Sequence, residues 1–472
     1  MKNIKLNKKS ITALICALTL ATGFFTGCKE KINDKDEKGR TMVSVGNWPQ
    51  KEGDALNGYN KRKASYEEEN PDAVIIPDLW QFELKTFYAK AAGGQLPTVY
   101  DAGFTEVAEI INSNYSADIT EGLKKRGYDG KFNPQILKLV SKNDKQVFAF
   151  PYNAYLLGLA FNTEMFEKAG LMEADGTPKQ PKDWNEVAEF AVKIKEATGK
   201  AGFVFPSANN NGGWMFTCLA WSFGTKFMEK NSDGEWKATF DSPEAAAALQ
   251  YIKDLKWKYD VLPSNTLIDG DEYYKQFLTG NAAMMISPTS VADRTSQFGT
   301  DLNLVGMMGI PAGPKKHVTL LGGQISAFSN KATADQIDAG LRWLEKSYNY
   351  NLNDNVKSRI AKNIAYRKKN NQVVGVYSLS VWNNDTESVK YEREQNIKET
   401  NVNINHFRLY NEFVENCPAE IHAEEPVCCQ ELYGILDSCI QNVLNDKNAD
   451  CAAIMKKANS DFQANYLDNL DY

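Results

Sequence analysis

Histidine is nearly absent from this chain. Its 472 residues hold three, His317, His406 and His422, and none has a partner at metal-ligand spacing, so a His-based active site or a metal centre finds no support. The cysteines include no C-x-x-C pair, which argues against a structural zinc. Positive charge is in deficit, with Lys+Arg 54 against Asp+Glu 60 and a net charge of -6; nothing offers the basic footprint that a nucleic-acid backbone requires. Beyond Phe25 no apolar run approaches the roughly 20 residues of a membrane-spanning helix, and internal repeats and low-complexity tracts are missing. No motif selects a pair of carboxylates for glycoside chemistry. No cofactor or metal is expected.

What remains is ordinary globular composition, 43% hydrophobic and 24% charged, with aromatics at 11%. At roughly 150 residues per domain the length suits two lobes or three small ones rather than one core. The start reads as a leader: Lys2, Lys5, Lys8 and Lys9 precede an apolar stretch, Ile11 to Phe25, the pattern of a secretory signal. It ends in Phe25-Thr26-Gly27-Cys28, which resembles the box of a bacterial lipoprotein signal, where small residues precede a Cys that receives lipid. Residues 1–27 are then the signal peptide, and removing them takes away four Lys and no acid. Residues 28–40, with Ile32 alone among many charges, read as a flexible tether. Once Cys16 leaves and Cys28 is lipidated, Cys218, Cys417, Cys428, Cys429, Cys439 and Cys451 remain, either as disulfides, which an extracytoplasmic site favours, or as buried thiols.

From residue 41 short apolar runs alternate with amphipathic patterns, which predicts an α/β fold. Strands are expected at Met42 to Val45, Ala73 to Pro77, Val99 to Tyr100, Val147 to Pro151 and Leu302 to Pro311, with a strand-like run at Val373 to Val381. Asp183 with Glu186 reads as a capping box opening a helix that Gly199 closes. Ser242-Pro243 starts an Ala-rich helix through Leu255, and Thr333 with Gln336 repeats the box. The tail from about Glu412 reads as mostly helical, with Leu432, Ile435, Leu436, Cys439 and Val443 on one face.

Met42 to Trp48 comes first, then Ala91-Ala92-Gly93-Gly94-Gln95-Leu96-Pro97-Thr98-Val99, then Phe148-Ala149-Phe150-Pro151-Tyr152 running into Ala160 to Gly170. Pro181-Lys182-Asp183-Trp184-Asn185-Glu186, Phe277 to Ile286, Ile310-Pro311-Ala312-Gly313-Pro314 and Leu321-Gly322-Gly323-Gln324 follow. In this order the segments resemble the family 1 extracellular solute-binding proteins, the carbohydrate-binding lipoproteins of ABC importers related to maltose-binding protein. Thr98 stands where the family has Asp, and Gln324 where an aromatic is common. The resemblance implies a two-lobed periplasmic-binding-protein-like fold of type II, with a hinge and a ligand cleft between lobes. Lobe one would hold 41–152 and 290–346, lobe two 153–289 and 347–472, with crossings near Pro151 to Tyr155 and near Ser287 to Ser290.

A sugar presents apolar C–H faces and a rim of hydroxyls, so its pocket needs aromatic rings and a few placed polar groups, gathered in loops at the carboxyl ends of strands. Asn47 and Trp48 follow the first strand, Trp48 either binding or packing at the rim; Trp80 sits in the next such loop. Asp101 and Phe104 follow Val99-Tyr100, where Asp101 either faces ligand or caps the helix around Glu106. Tyr152, Asn153 and Tyr155 lie on the presumed hinge. Trp214 follows two glycines that would leave backbone exposed, and Ser287 stands near the second crossing, where relatives often place an aromatic. Trp382 follows the Val373 to Val381 run. Trp184, Trp221, Trp257 and Trp343 read as packing.

The resulting expectation is a monomeric, extracytoplasmic binding protein held at the bacterial cell membrane by lipid on Cys28. It would close on a carbohydrate, an oligosaccharide, and deliver it to the permease subunits of an ABC transporter, with no bond made or broken and no nucleic-acid partner. Alternatives are the same fold binding a peptide or amine, the same fold serving a sensor, and an extracellular glycan-active enzyme. A cation ligand would call for an acidic aromatic cage, which the sequence alone does not locate.

Overall fold

The computed structural model describes residues 34–143 and 145–470. The leader, Cys28 and the first part of the tether lie outside the described residues. Residues 34–40 fold back on the body instead of continuing a tether: the Met42 amide donates to the Asp34 carbonyl, Asp36 holds Arg40, and Lys35 reaches Asp335 at 2.8 Å.

Nine strands build two sheets: Thr41–Val45 (β1), Ala73–Pro77 (β2), Val99–Gly103 (β3), Ala149–Leu156 (β4), Gly158–Asn162 (β5), Met284–Ser287 (β6), Val305–Gly309 (β7), Val318–Phe328 (β8) and Glu420–Ala423 (β9). The first sheet runs β9-β8-β3-β1-β2 with β4 also on β8; the second is β6-β5-β7, antiparallel throughout. In β1 the alternation of Thr41, Val43 and Val45 inward with Met42 and Ser44 less buried is the period of two that a half-covered strand requires. β8 carries β4 along one edge. Its other edge takes parallel β9 at the start and antiparallel β3 at the end.

Helices cover the sheets: Asp54–Glu69 (α1), Leu84–Ala92 (α2), Phe104–Asn112 (α3), Trp184–Thr198 (α4), Asn211–Phe223 (α5), Pro243–Trp257 (α6), Ala334–Glu345 (α7), Asp354–Lys369 (α8), Glu387–Lys398 (α9), Asn405–Asn416 (α10), Cys429–Asn445 (α11) and Cys451–Asn465 (α12). Their ends follow local chemistry. Thr333 and Gln336 close a full capping box on α7, and Ser242 caps α6 with Pro243 at its first position. Asp183 caps α4 through the amides of Asn185 and Glu186, and Gly199 ends it in the left-handed conformation, φ 67°. The Glu186 carboxylate accepts from Lys182 rather than from the cap amide, so the box is one residue wider than its sequence signature. None of the described helices is long and apolar enough to cross a membrane.

One expected strand is missing. Residues 373–381 form no strand, because the amides of Val374 and Tyr377 donate to the side chains of Asn401 and Asn411 instead of to a neighbouring strand. The tail is mostly helical, as expected, and adds one short strand, β9, that completes the first sheet. The chain passes from the first sheet to the second at Leu157, and after β7, which pairs with β5, it returns to the first sheet across residues 310–317. All six cysteines of the described residues are free thiols, four of them buried.

Candidate functional site

The first sheet exposes one polar step in an otherwise buried centre. Between Gln324 and Ile325 the register of β8 against β4 shifts, Gln324 facing Asn153 and Ile325 facing Pro151, so Tyr152 is the extra residue of a bulge. Pro151 has no amide to donate, and a bulge re-aims the side chains beside it. As a result Asn153 and Gln324 stand exposed at mid-strand, with Tyr152 and Tyr155 half-buried on either side.

Two cavities of about 270 Å³ each lie at the two ends of this stretch of β4. The first is lined by Tyr152, Asn153 and Trp382 together with Tyr348, Tyr377 and three arginines. Tyr152 stacks on Tyr348 with ring centres 4.9 Å apart. The arginines are each paired: Arg359 with Glu392 at 3.6 Å, Arg367 with Asp293 at 2.5 Å, and Arg393 with Glu415 at 3.4 Å. The second cavity is lined by Tyr155, Trp214, Thr105, Glu424, Gln430 and Tyr433, with the Asn209 to Asn211 turn. Tyr155 and Trp214 meet edge to face at 6.5 Å. The Tyr155 ring lies where a side chain on Gly322 would be, 2.2 Å from the position of a Cβ, so only glycine fits there.

Glu424 is the junction of the second cavity. Its carboxylate accepts from the Thr105 hydroxyl at the start of α3, 2.6 Å, and from the Tyr433 hydroxyl of α11, 2.8 Å. Burial pushes its proton affinity up to about 7, the hydrogen bonds from Thr105 and Tyr433 opposing that rise and Glu106 adding to it. Neighbouring Glu425, also raised to about 7 by burial, takes the indole N–H of Trp221 at 3.0 Å.

The expected site residues divide accordingly. Tyr152, Asn153 and Trp382 line one cavity, Tyr155 and Trp214 the other. Trp382 is only 7% exposed and belongs to a ring cluster with Phe132, Tyr128 and Phe150. Asp101 sits behind Tyr152, half-buried, accepting from Ser326 at 2.6 Å; burial raises its proton affinity, and Ser326, Arg62 and Tyr152 oppose the rise. The others are elsewhere. Trp48 is 2% exposed, stacked on Trp343 and edge-on to Tyr59. Asn47, at φ 56°, uses its side chain to accept the Phe82 amide, tying two loops together. Trp80 packs beside Phe82 and Phe87 and donates to Thr86. Phe104 is buried, and buried Ser287 donates to the Pro288 carbonyl.

The glycines before Trp214 are not exposed. Gly213 is buried, and a Cβ there would stand 2.2 Å from the Tyr433 carbonyl oxygen, so it exists to let α11 approach α5. Asp437 of α11 fastens that approach by accepting the amides of Asn210 and Gly213 at 2.6 and 2.7 Å. Thr105, Glu424, Gln430 and Tyr433 escape sequence reading because they converge from segments some 320 residues apart with no local motif. Gln324, by contrast, is marked by its departure from the family pattern. A larger groove of about 600 Å³ runs between α11 and α12 and is lined by those helices and their connecting turn, without a strand from either sheet. Among the described residues no group of three or more His, Cys, Asp or Glu could hold a metal.

Residues 41–346 match the model of the bacterial extracellular solute-binding proteins. The sn-glycerol-3-phosphate-binding periplasmic protein UgpB of Escherichia coli K12 is 24% identical over 289 residues, 58% of this chain and 63% of the relative. The putative ABC transporter periplasmic-binding protein YcjN of the same strain is 25% identical over 310 residues, 63% of this chain and 65% of the relative. The chain thus spans somewhat less than two thirds of the length of these relatives. Among solved structures, maltose-bound MalE3 of T. maritima superposes with a TM-score of 0.63 at 20% identity, covering 90% of this chain and 99% of that one. The cyclic alpha-maltosyl-1,6-maltose binding protein of Arthrobacter globiformis gives 0.65 at 18% over 90% and 99%. At such identities the likeness establishes the fold, two-lobed and of type II.

Proposed function

The chain belongs to the bacterial extracellular solute-binding proteins, and from that premise we propose that it captures a carbohydrate along β4 and delivers it to an ABC importer. The observation that carries this reading is the strip Tyr152, Asn153 and Tyr155, with Gln324 opposite and a cavity at each end. Rings for sugar faces and amides for hydroxyls alternate there as a polyol needs, and two cavities on one strand suit a ligand of more than one sugar unit. The relatives named for maltose and for a maltosyl-maltose support the ligand class.

In this reading each sheet is the core of a lobe. Lobe one comprises 41–156 and 318–346 with β9, and lobe two comprises 158–309 with α11 and α12, so the division expected at 152/153 and 289/290 moves to Leu157 and to 310–317. Ligand touching both lobes shifts the population toward a closed form that permease subunits recognise. The protein acts as a monomer outside the cytoplasm, anchored by lipid on Cys28, and makes or breaks no bond; Cys28→Ala should release it from the membrane fraction.

Thermal denaturation of the purified protein against mono- and oligosaccharides, amino acids and peptides tests the reading. A matching saccharide at a hundred times its Kd should add about 2.7 kcal/mol. Stabilisation by amino acids or peptides alone overturns the carbohydrate assignment, and release of reducing ends from a glycan overturns pure binding.

A further inference from the structure

The Tyr155 end of the cleft has the electrostatics of a cation site. No Lys, Arg or His is among the residues lining its cavity. Glu424 lines it, and Glu106 stands behind Gln430, whose amide donates to it at 3.4 Å. Burial raises the proton affinity of both carboxyls, and Glu106 raises that of Glu424 further. Both carboxyls are half-buried and no base stands in the cavity lining, so a cation placed beside Glu424 would relieve both.

The walls point the same way. Trp214, Tyr155 and Tyr433 bring three aromatic rings to one small cavity, and ring faces attract ammonium groups as well as sugar C–H surfaces. The one feature that would favour an anion is already consumed. α5 starts at this cavity, and a helix N-terminus ordinarily invites phosphate or carboxylate, but the Asp437 carboxylate occupies the amides of Asn210 and Gly213. An anionic group would meet the Glu424 carboxylate, with those of Glu106 and Asp437 just behind the wall, and no base in the lining.

Resting on the reading of this cleft as a saccharide site, we infer that the Tyr155 end takes a protonated amine carried on a sugar, so that the ligand is an amino sugar or an oligosaccharide ending in one. The ammonium lies against Glu424, with the charge of Glu106 behind Gln430 and the sugar ring against Trp214, and the neutral remainder runs along Asn153 and Gln324 toward Tyr152.

The test is calorimetric titration of the protein with glucosamine oligomers, the same oligomers N-acetylated, glucose oligomers, and spermidine as an amine without sugar. The expected result is at least tenfold tighter binding of the glucosamine series than of its N-acetylated counterpart, a ratio that falls toward one in Glu424→Gln. Should that variant not fold, Glu106→Gln carries the same comparison, and the wild-type ratio stands without either. Equal or tighter binding of neutral oligomers overturns the inference while leaving the carbohydrate reading intact. Spermidine outcompeting every saccharide overturns the sugar part, and silence toward all saccharides overturns both readings.

Discussion

The two ends of β4 are built from opposite materials. At the Tyr152 end three arginines gather, each matched by an acid, Glu392, Asp293 or Glu415, and the tryptophan on the wall, Trp382, is locked into a ring cluster. At the Tyr155 end carboxyls gather without a base, and the tryptophan, Trp214, is half-buried with one neighbouring ring at 6.5 Å. Charge that is internally settled can hold a structure, whereas charge left unsettled beside open volume is available to something else. The same contrast separates Trp48, stacked on Trp343 inside the first lobe, from Trp214 at the cavity mouth.

The strongest way to break this contrast is to remove the two tryptophans. Trp382→Ala should cost about 3–5 kcal/mol of unfolding free energy in urea titrations, as expected for a buried indole. If it costs nothing, the Tyr152 end is not the settled one. Next comes pH. Burial holds Glu424 and Glu425 at about 7 in the folded protein against an ordinary 4.5, so the native state keeps protons that the unfolded chain has lost. Stability is therefore fully present below pH 4.5 and declines as pH rises through about 7, by at most about 3 kcal/mol for each carboxyl; Glu425→Gln should flatten its share of that slope. Trp214→Ala should leave the fold in place and weaken saccharide binding by on the order of 2 kcal/mol, read by calorimetry. Smallest is Arg359→Ala. Its partner Glu392 is 3.6 Å away and both are substantially exposed, so the change in stability should stay within about 1 kcal/mol.

Local signals carried far in this chain, and non-local ones did not. The caps at Asp183, Ser242 and Thr333 were legible because a cap is a contract between residues three apart, and β2 matched its apolar run residue for residue. Tyr152, Asn153 and Tyr155 were legible through the family pattern around them and Trp214 through the two glycines before it, and all four line the two cavities. Residues 373–381 misled because β-branched side chains promise a strand only if a neighbouring strand is there to pair with, and here asparagine side chains supply the partners. Glu424 was silent in the sequence. Its role comes from Thr105 and Tyr433 arriving beside it, and nothing within a few residues of it announces either.

The arrangement around β8 bears on how the chain reaches its final shape. Its second half pairs with β3, from early in the sequence, while its first half waits for β9, made almost a hundred residues later. Until that last strand docks, part of the sheet presents bare amides and carbonyls, a template for mispairing. A polypeptide whose opening lobe is finished by its closing segment assembles slowly, a kinetic property that would keep it threadable during translocation and would make truncation near the carboxyl terminus damaging to the distant amino-terminal half.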